Sequence, residues 1–242
     1  MVRFRVGKSY RFKRMKVAAI IFSRMASSRL PGKALRHIAG EPLIKRVINR
    51  VSKVKKLSTV VVATSNGKND DRLVEYIQSL NIEVFRGAAH DVLDRAVSCA
   101  SYLGVDKFIR INGDSPLIDP ELLEKGIEMW REPNLDLISN VFPRTYPVGT
   151  SVEIIKTDSL KKILSLTVDS CDREHVTRFF YRNPEKFRIL NFESGRSELR
   201  EVRLAVDTEE DLERIDWLFK EFGGLINFEM AAEKSLLWSR VE

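Results

Sequence analysis

Short apolar runs return along this chain at intervals filled by longer amphipathic stretches, and this alternation limits what it can fold into more than any other feature. Runs rich in Val, Ile and Phe, such as 17–22 and 107–112, suit strands covered on both faces, and the segments between them suit helices with one apolar stripe. The pattern predicts strands at 17–22, 59–63, 82–85, 107–112, 135–139, 151–155, 187–192 and 202–206. Helices are predicted near 42–54, 69–79, 91–103, 120–131, 158–165, 173–182 and 208–221, with a last one near 227–239. This order is the signature of a three-layer α/β domain with a mostly parallel, mixed sheet.

Boundary residues agree with the pattern. Pro42 and Pro120 suit first helical positions, Asp119 and Thr208 suit N-caps, and Gly104 suits a C-terminal stop. In the helix at 42–54, Leu43, Val47, Val51 and Val54 share one stripe, so Lys45, Arg46, Asn49, Arg50 and Lys53 are expected on a solvated face. No repeat, low-complexity tract or long linker interrupts the chain, and residues 16–242 are read as one domain.

Charge needs a correction before it is used. The net +7 invites nucleic acid or a membrane as partner, but residues 1–16 hold seven basic residues and no acidic one, and without them the chain is neutral. Residues 1–15 are expected to be a disordered basic leader, and nucleic acid is not an expected partner. Neither the apolar core of a secretory signal nor a membrane span of ~20 apolar residues is present, so a cytoplasmic protein is expected. Cys99 and Cys171 lack any metal or redox spacing and are expected to be reduced; His37 and His90 are expected in loops or at the surface.

In open α/β sheets, ligands gather at the carboxyl ends of the strands. Three of those ends carry chemistry. After the first strand comes Ser23-Arg24-Met25-Ala26-Ser27-Ser28-Arg29-Leu30-Pro31-Gly32-Lys33, whose Arg24, Ser27, Ser28, Arg29 and Lys33 offer the mixture of charge and directional donors that a polyphosphate needs. After the fourth comes Arg110-Ile111-Asn112-Gly113-Asp114, where Gly113 lets a ligand or backbone approach and Asp114 presents a carboxylate suited to Mg²⁺. Asp207 closes the run at 202–206; it either caps the next helix or joins Asp114, while Glu209, Glu210 and Asp211 complement the helix dipole. Farther along, Phe142–Gly149 reads as a substrate loop or a subunit contact.

Taken together, SRMASSRLPGK at 23–33, VVATS at 61–65, VFRGAAHDVLDR at 84–95, RINGDSPLIDP at 110–120, RTYPVGTSVEI at 144–154, REHVT at 173–177 and RLAVDTEEDLERI at 203–215 resemble the cytidylyltransferases that make CMP-activated sugar acids. The similarity is greatest to the spore-coat polysaccharide branch. It implies a Rossmann-like nucleotide-diphosphosugar transferase fold. It also implies that Arg24, Arg29 and Lys33 bind CTP phosphates, that Asp114 and Asp207 hold Mg²⁺, and that Thr64, Ser65 and Arg86 lie near the nucleoside. Arg110 and Gly113 complete the expected CTP site, with Arg24, Lys33 and Asp114 its catalytic members. Ser23 replaces the Ala of many relatives, and Ser151 stands where the spore-coat branch often has Asp, a departure that bears on the acceptor.

An acceptor oxygen would attack the α-phosphorus of CTP and release pyrophosphate, chemistry that depends on positioning and charge. An anionic acceptor of the KDO or nonulosonic type would meet Arg144, Tyr146, Glu153, Arg173, His175 and Arg178. The same pocket would suit a polyol phosphate or phosphonate. A noncatalytic nucleotide- or RNA-binding protein is the reading from a different class. The resemblance further implies a homodimer paired through residues 142–155.

Overall fold

The computed structural model describes residues 17–238; the expected leader at 1–15 lies outside them. In chain order the elements are β1 Val17–Phe22, β2 His37–Ile38, β3 Glu41–Pro42, α1 Leu43–Val51, β4 Thr59–Ser65, α2 Asp71–Ser79, β5 Glu83–Gly87, α3 Val92–Tyr102, β6 Lys107–Asn112, α4 Pro120–Met129, β7 Leu137–Ser139, β8 Glu153–Lys156, α5 Thr157–Leu166, α6 Ser170–Glu174, α7 Arg178–Arg182, β9 Ile189–Asn191, α8 Glu209–Phe222 and α9 Phe228–Ser235. Seven strands form one sheet in the order β5-β4-β1-β6-β8-β7-β9, and β2 and β3 form a separate ribbon. Only β8 runs against its neighbours in the large sheet. The expected mostly parallel, mixed sheet is what forms.

Strand residues alternate between two cores because successive side chains leave opposite faces of a pleated sheet. Ala19 and Ile21 of β1 join Ile109 and Ile111 of β6 beneath α1, α2, α4, α8 and α9. Ala18, Ile20 and Phe108 point the other way, under α3, α5 and the α6–α7 region. That gives helix, sheet and helix as three layers. Each Val, Leu, Ile or Phe side chain sealed in this way stabilises the fold by about 1.5–3 kcal/mol.

Local signals set most boundaries. Asp119 caps α4, accepting from Glu121 N at 2.8 Å ahead of Pro120, and Thr208 caps α8 in a capping box with Asp211. Pro42 falls one residue before α1, at its N-cap.

Three expectations need correction. Arg50 is not on a solvated face: it is 6% exposed, and its three guanidinium nitrogens donate to the carbonyls of Ile118, Gly224 and Ile226. Residues 202–206 do not form a sheet strand. They pair with the loop at 147–149, through one bridge between Val148 and Arg203 and a 2.6 Å bond from Leu204 N to Val148 O. Gly149 permits this approach, since a Cβ there would lie 2.6 Å from the Leu204 carbonyl carbon. The helix expected at 173–182 is broken into α6 and α7, because Asp169 caps an earlier start and the chain leaves helical geometry at His175.

Candidate active site

Because β4, β1 and β6 are parallel and in register, their carboxyl ends open on one edge, with Phe22 beside Ala63 on one side and Asn112 on the other. Gly113 N donates to Phe22 O at 2.8 Å, and a Cβ on Gly113 would stand 2.6 Å from Ser23 Cβ. Glycine is what lets the Asp114 loop lie against the phosphate-type loop. That loop is held from beneath by Asp70, a carboxylate absent from the sequence reading. Asp70 accepts from Met25 N at 2.7 Å, from Thr64 Oγ1 at 2.9 Å and from Ser65 N and Oγ at 3.1 and 2.5 Å. Burial raises the Asp70 carboxyl, but these donors outweigh it and hold the group below its ordinary value.

Asp207 reaches the site by a long-range bond. Val206 N donates to Asp114 O at 2.9 Å, and Asp211 accepts from the backbone of Asp207 and Thr208. So Asp211 does more than complement the α8 dipole: it fixes the turn that carries Asp207. The Lys33 ammonium then bridges the two carboxylates, 2.9 Å from Asp114 Oδ2 and 2.9 Å from Asp207 Oδ1, with Val206 O as third acceptor. Arg29 and Arg203 also pair with Asp207, at 3.1 and 2.9 Å. Burial opposes charge on both Lys33 and Asp207. Attraction wins: Asp114 and Asp207 together raise the Lys33 pKa, and Lys33, Arg29 and Arg203 lower that of Asp207.

A cavity of about 730 Å³ is walled by Lys33 and Asp114 of this cluster; Asp207, on the far side of Lys33, does not line it. Of the expected CTP residues, Arg24, Ser27, Ser28, Arg29, Lys33, Arg110, Gly113 and Asp114 line it. Thr64 and Ser65 do not; both are buried and hold Asp70. Nor does Arg86, which ties β5 to the end of β4 and the residues that follow it by bonds to Ser65 O and Gly67 O and an ion pair with Asp71. These three act on the loops from behind. His90, expected at the surface, is exposed and also faces the cavity.

A second cavity, about 400 Å³, adjoins the first and shares Arg110, Asn112 and His175 with it. Arg144, Glu153, His175 and Arg178 of the expected acceptor set line it. Two do not. Tyr146 is 2% exposed, packs against Phe192 and Phe228 and donates to Glu193 O, so its ring serves the core. Arg173 spends its nitrogens on Asp91 Oδ2 at 2.8 Å and on the carbonyls of Thr167 and Leu164, locking α6 to α3 and α5. The Arg-Glu-His cluster suggested an anion site, but helix packing turns Arg173 away from it.

At the back of this cavity Glu153 is 3% exposed and accepts from Arg110 at 2.5 Å and Tyr181 OH at 2.7 Å. Burial pushes its carboxyl up; Arg110, Thr177 and Tyr181 together bring it below the ordinary value. Tyr181 is correspondingly raised, by burial first and then by Glu153. Asp172, also buried, grips Arg178 at 2.6 Å and Arg182 at 3.3 Å. Arg144 has neutral partners, Pro147 O and Ser151 Oγ. Sequence reasoning missed Asn112, Asp172, Tyr181 and Arg182. The four-residue spacing of Arg178 and Arg182 on one helix was the available signal for the last.

Comparison with known proteins decides the family. The model of the cytidylyltransferase family matches residues 18–239. The chain belongs to the cytidylyltransferase family. It is 32% identical over 210 residues to the spore coat polysaccharide biosynthesis protein SpsF of Bacillus subtilis, covering 84% of this chain and 86% of that one. It is 32% identical over 191 residues to the 3-deoxy-manno-octulosonate cytidylyltransferase of Geobacter metallireducens, covering 77% and 67%. Among solved structures, a cytidylyltransferase from Leptospira borgpetersenii superposes with a TM-score of 0.86 at 28% identity, over 93% of this chain and 95% of the other. This cytidylyltransferase is thus a CTP-dependent nucleotidyltransferase of Rossmann-like fold. Among the described residues no helix is long and apolar enough to cross a membrane.

Proposed function

We propose that this cytidylyltransferase transfers CMP from CTP to the hydroxyl of an anionic sugar acid of the KDO or nonulosonic type, for a surface polysaccharide. The observation that carries the reading is the junction of two cavities at Arg110, Asn112 and His175. One holds a polyphosphate-type loop beside Asp114, which Lys33 links to Asp207, and the other holds Arg144 without a carboxylate partner among the described residues. A nucleotide in the first and an acceptor in the second would meet where those cavities join. The name of the similar 3-deoxy-manno-octulosonate protein favours the same acceptor class, and that of the spore-coat protein favours a polysaccharide as destination.

Asp114 and Asp207 are the residues that would hold Mg²⁺. Two carboxylates converging on one cation, with no third His, Cys, Asp or Glu joining them among the described residues, form a donor set that suits this ion. It is commonly bound by one or two carboxylates, with phosphates and water completing the shell. When bound, Mg²⁺ supplies charge neutralisation at the phosphate oxygens. The protein's own part is positional: Arg24, Arg29 and Lys33 hold the β- and γ-phosphates, and Arg144 orients the acceptor. The acceptor hydroxyl gives up its proton to water and its oxygen bonds to the α-phosphorus as the bond to the bridging α–β oxygen breaks, and pyrophosphate leaves.

The test is pyrophosphate release from CTP with a panel of sugar acids, polyol phosphates and phosphonates. Turnover with a sugar acid is the expected result; turnover only with a polyol phosphate or phosphonate would replace the acceptor and leave the nucleotide chemistry standing. Pairing of two copies through 142–155 belongs to the same proposal. Most of that segment is buried in its own chain, with Phe142 and Pro143 exposed, and light scattering that shows only monomer would remove it.

A further inference from the structure

Arg95 stands on the first turn of α3, is 2% exposed, and faces the first cavity. Its Nη1 donates to Ala88 O at 2.6 Å; among the described residues, its fully buried Nε has no acceptor and no carboxylate pairs with the guanidinium. A buried cation without a counter-ion is costly, so such groups are normally paired or fully hydrogen-bonded. The one other buried arginine among the described residues, and two half-buried ones, obey that rule. Arg50 also lacks an ion pair, but all three of its nitrogens donate to carbonyls. Arg110 and Arg214 each have a buried Nε without an acceptor, yet each has a carboxylate at 2.5 Å, Glu153 and Asp211.

The surroundings fix Arg95 where it is. A Cβ on Gly87 would lie 2.9 Å from Arg95 Cγ, so glycine leaves the space in which the stem lies. Arg24 donates to the next carbonyl, Ala89 O, at 3.4 Å, so two arginines grip consecutive residues of the connection between β5 and α3. Burial, and then the nearby Arg24 charge, lower the Arg95 pKa; Asp70 and Asp91 offset this only in part, and neither pairs with the guanidinium. We propose that Arg95 binds the nucleotide directly, its guanidinium donating to an oxygen of CTP in the first cavity. The inference rests on reading that cavity as the CTP site. The oxygen is a base carbonyl or a phosphate oxygen, both acceptors for the same fork of N–H donors.

The experiment is calorimetric titration of wild type, Arg95→Met and Arg95→Gln with CTP, CMP and inorganic tripolyphosphate, beside thermal unfolding without ligand. Both variants are expected to bind CTP at least about tenfold more weakly. The unfolding midpoint of Arg95→Met is expected to equal or exceed that of wild type, since an unpaired buried cation has been removed. A loss shared by CMP and absent with tripolyphosphate assigns the oxygen to the nucleoside monophosphate part, and the reverse assigns it to the outer phosphates. Wild-type CTP affinity in either variant overturns the proposal. So does a midpoint that falls in step with affinity in both, which marks a structural role. A wild-type protein that binds no CTP overturns the reading of the cavity itself.

Discussion

The two cavities meet at three residues and treat charge in opposite ways. On the nucleotide side the side chains of Arg24 and Arg29 are 37% and 61% exposed, and Lys33 sits between two carboxylates that water can still reach. The exposed pairs of Arg24 and Arg29 contribute about 0–1 kcal/mol each, so phosphates can take those cations over at small cost. On the acceptor side Glu153 and Asp172, each 3% exposed, hold Arg110, Arg178 and Arg182. Removing one partner from a buried pair such as Glu153–Arg110 costs about 3–5 kcal/mol, so Arg110 stays in place when an acceptor arrives, while Arg178 and Arg182, 36% and 52% exposed, are anchored from within by Asp172. The nucleotide site is therefore a set of exchangeable contacts, and the acceptor site is a fixed frame around Arg144.

The largest expected effect lies on the exchangeable side. Lys33→Ala should lower kcat/KM for CTP by about 10²–10³, the usual loss when a transition-state charge contact is removed. Steady-state pyrophosphate release measures it, and a loss under tenfold would mean that Lys33 only joins Asp114 to Asp207.

A change to the fixed frame should appear first as stability. Glu153→Gln is expected to cost about 3 kcal/mol at neutral pH in urea denaturation, because Arg110 loses its counter-ion. The Glu153 pKa is lowered in the folded state from an ordinary 4.5. Its contribution is therefore complete above that ordinary value and is lost as pH falls through the folded one. The gap between wild type and Glu153→Gln should narrow on acidification; a constant gap would show that charge is not what the frame uses.

The smallest effects separate two arginines that the sequence treats alike. Arg144→Ala should raise the acceptor KM about tenfold with the CTP KM unchanged, as expected for loss of one charged hydrogen bond. Arg173→Ala should leave both KM values alone and lower stability by about 1–3 kcal/mol, since Asp91 and two carbonyls lose their donor. An acceptor KM that rises in Arg173→Ala would restore it to the site.

The fold was legible because its signals are local. Strand runs and helix stripes are periodic within a few residues, and caps such as Asp119 and Thr208 act on the next turn. The run at 202–206 misled because its apolar pattern fits a strand, while its actual partner is the loop at 147–149. In the site, Arg24, Arg29, Lys33 and Asp114 were legible as contiguous motifs at strand ends. Asp70, Asp172 and Tyr181 were not, since nothing beside them in the sequence says that a backbone N–H, two arginines or a buried carboxylate will be their partners.

By itself the sequence determined the alternation of strand and helix, the edge of the sheet where ligands collect, and a cytidylyltransferase's phosphate-type loop. Tertiary structure decided which charges are open and which are taken. It brought Asp207 to Asp114 through the bond from Val206 to Asp114, paired Arg173 with Asp91, and left Arg144 and Arg95 without an ion pair among the described residues. Periodicity and capping act over a few residues of chain, whereas the partner of a charge is set by where distant segments pack.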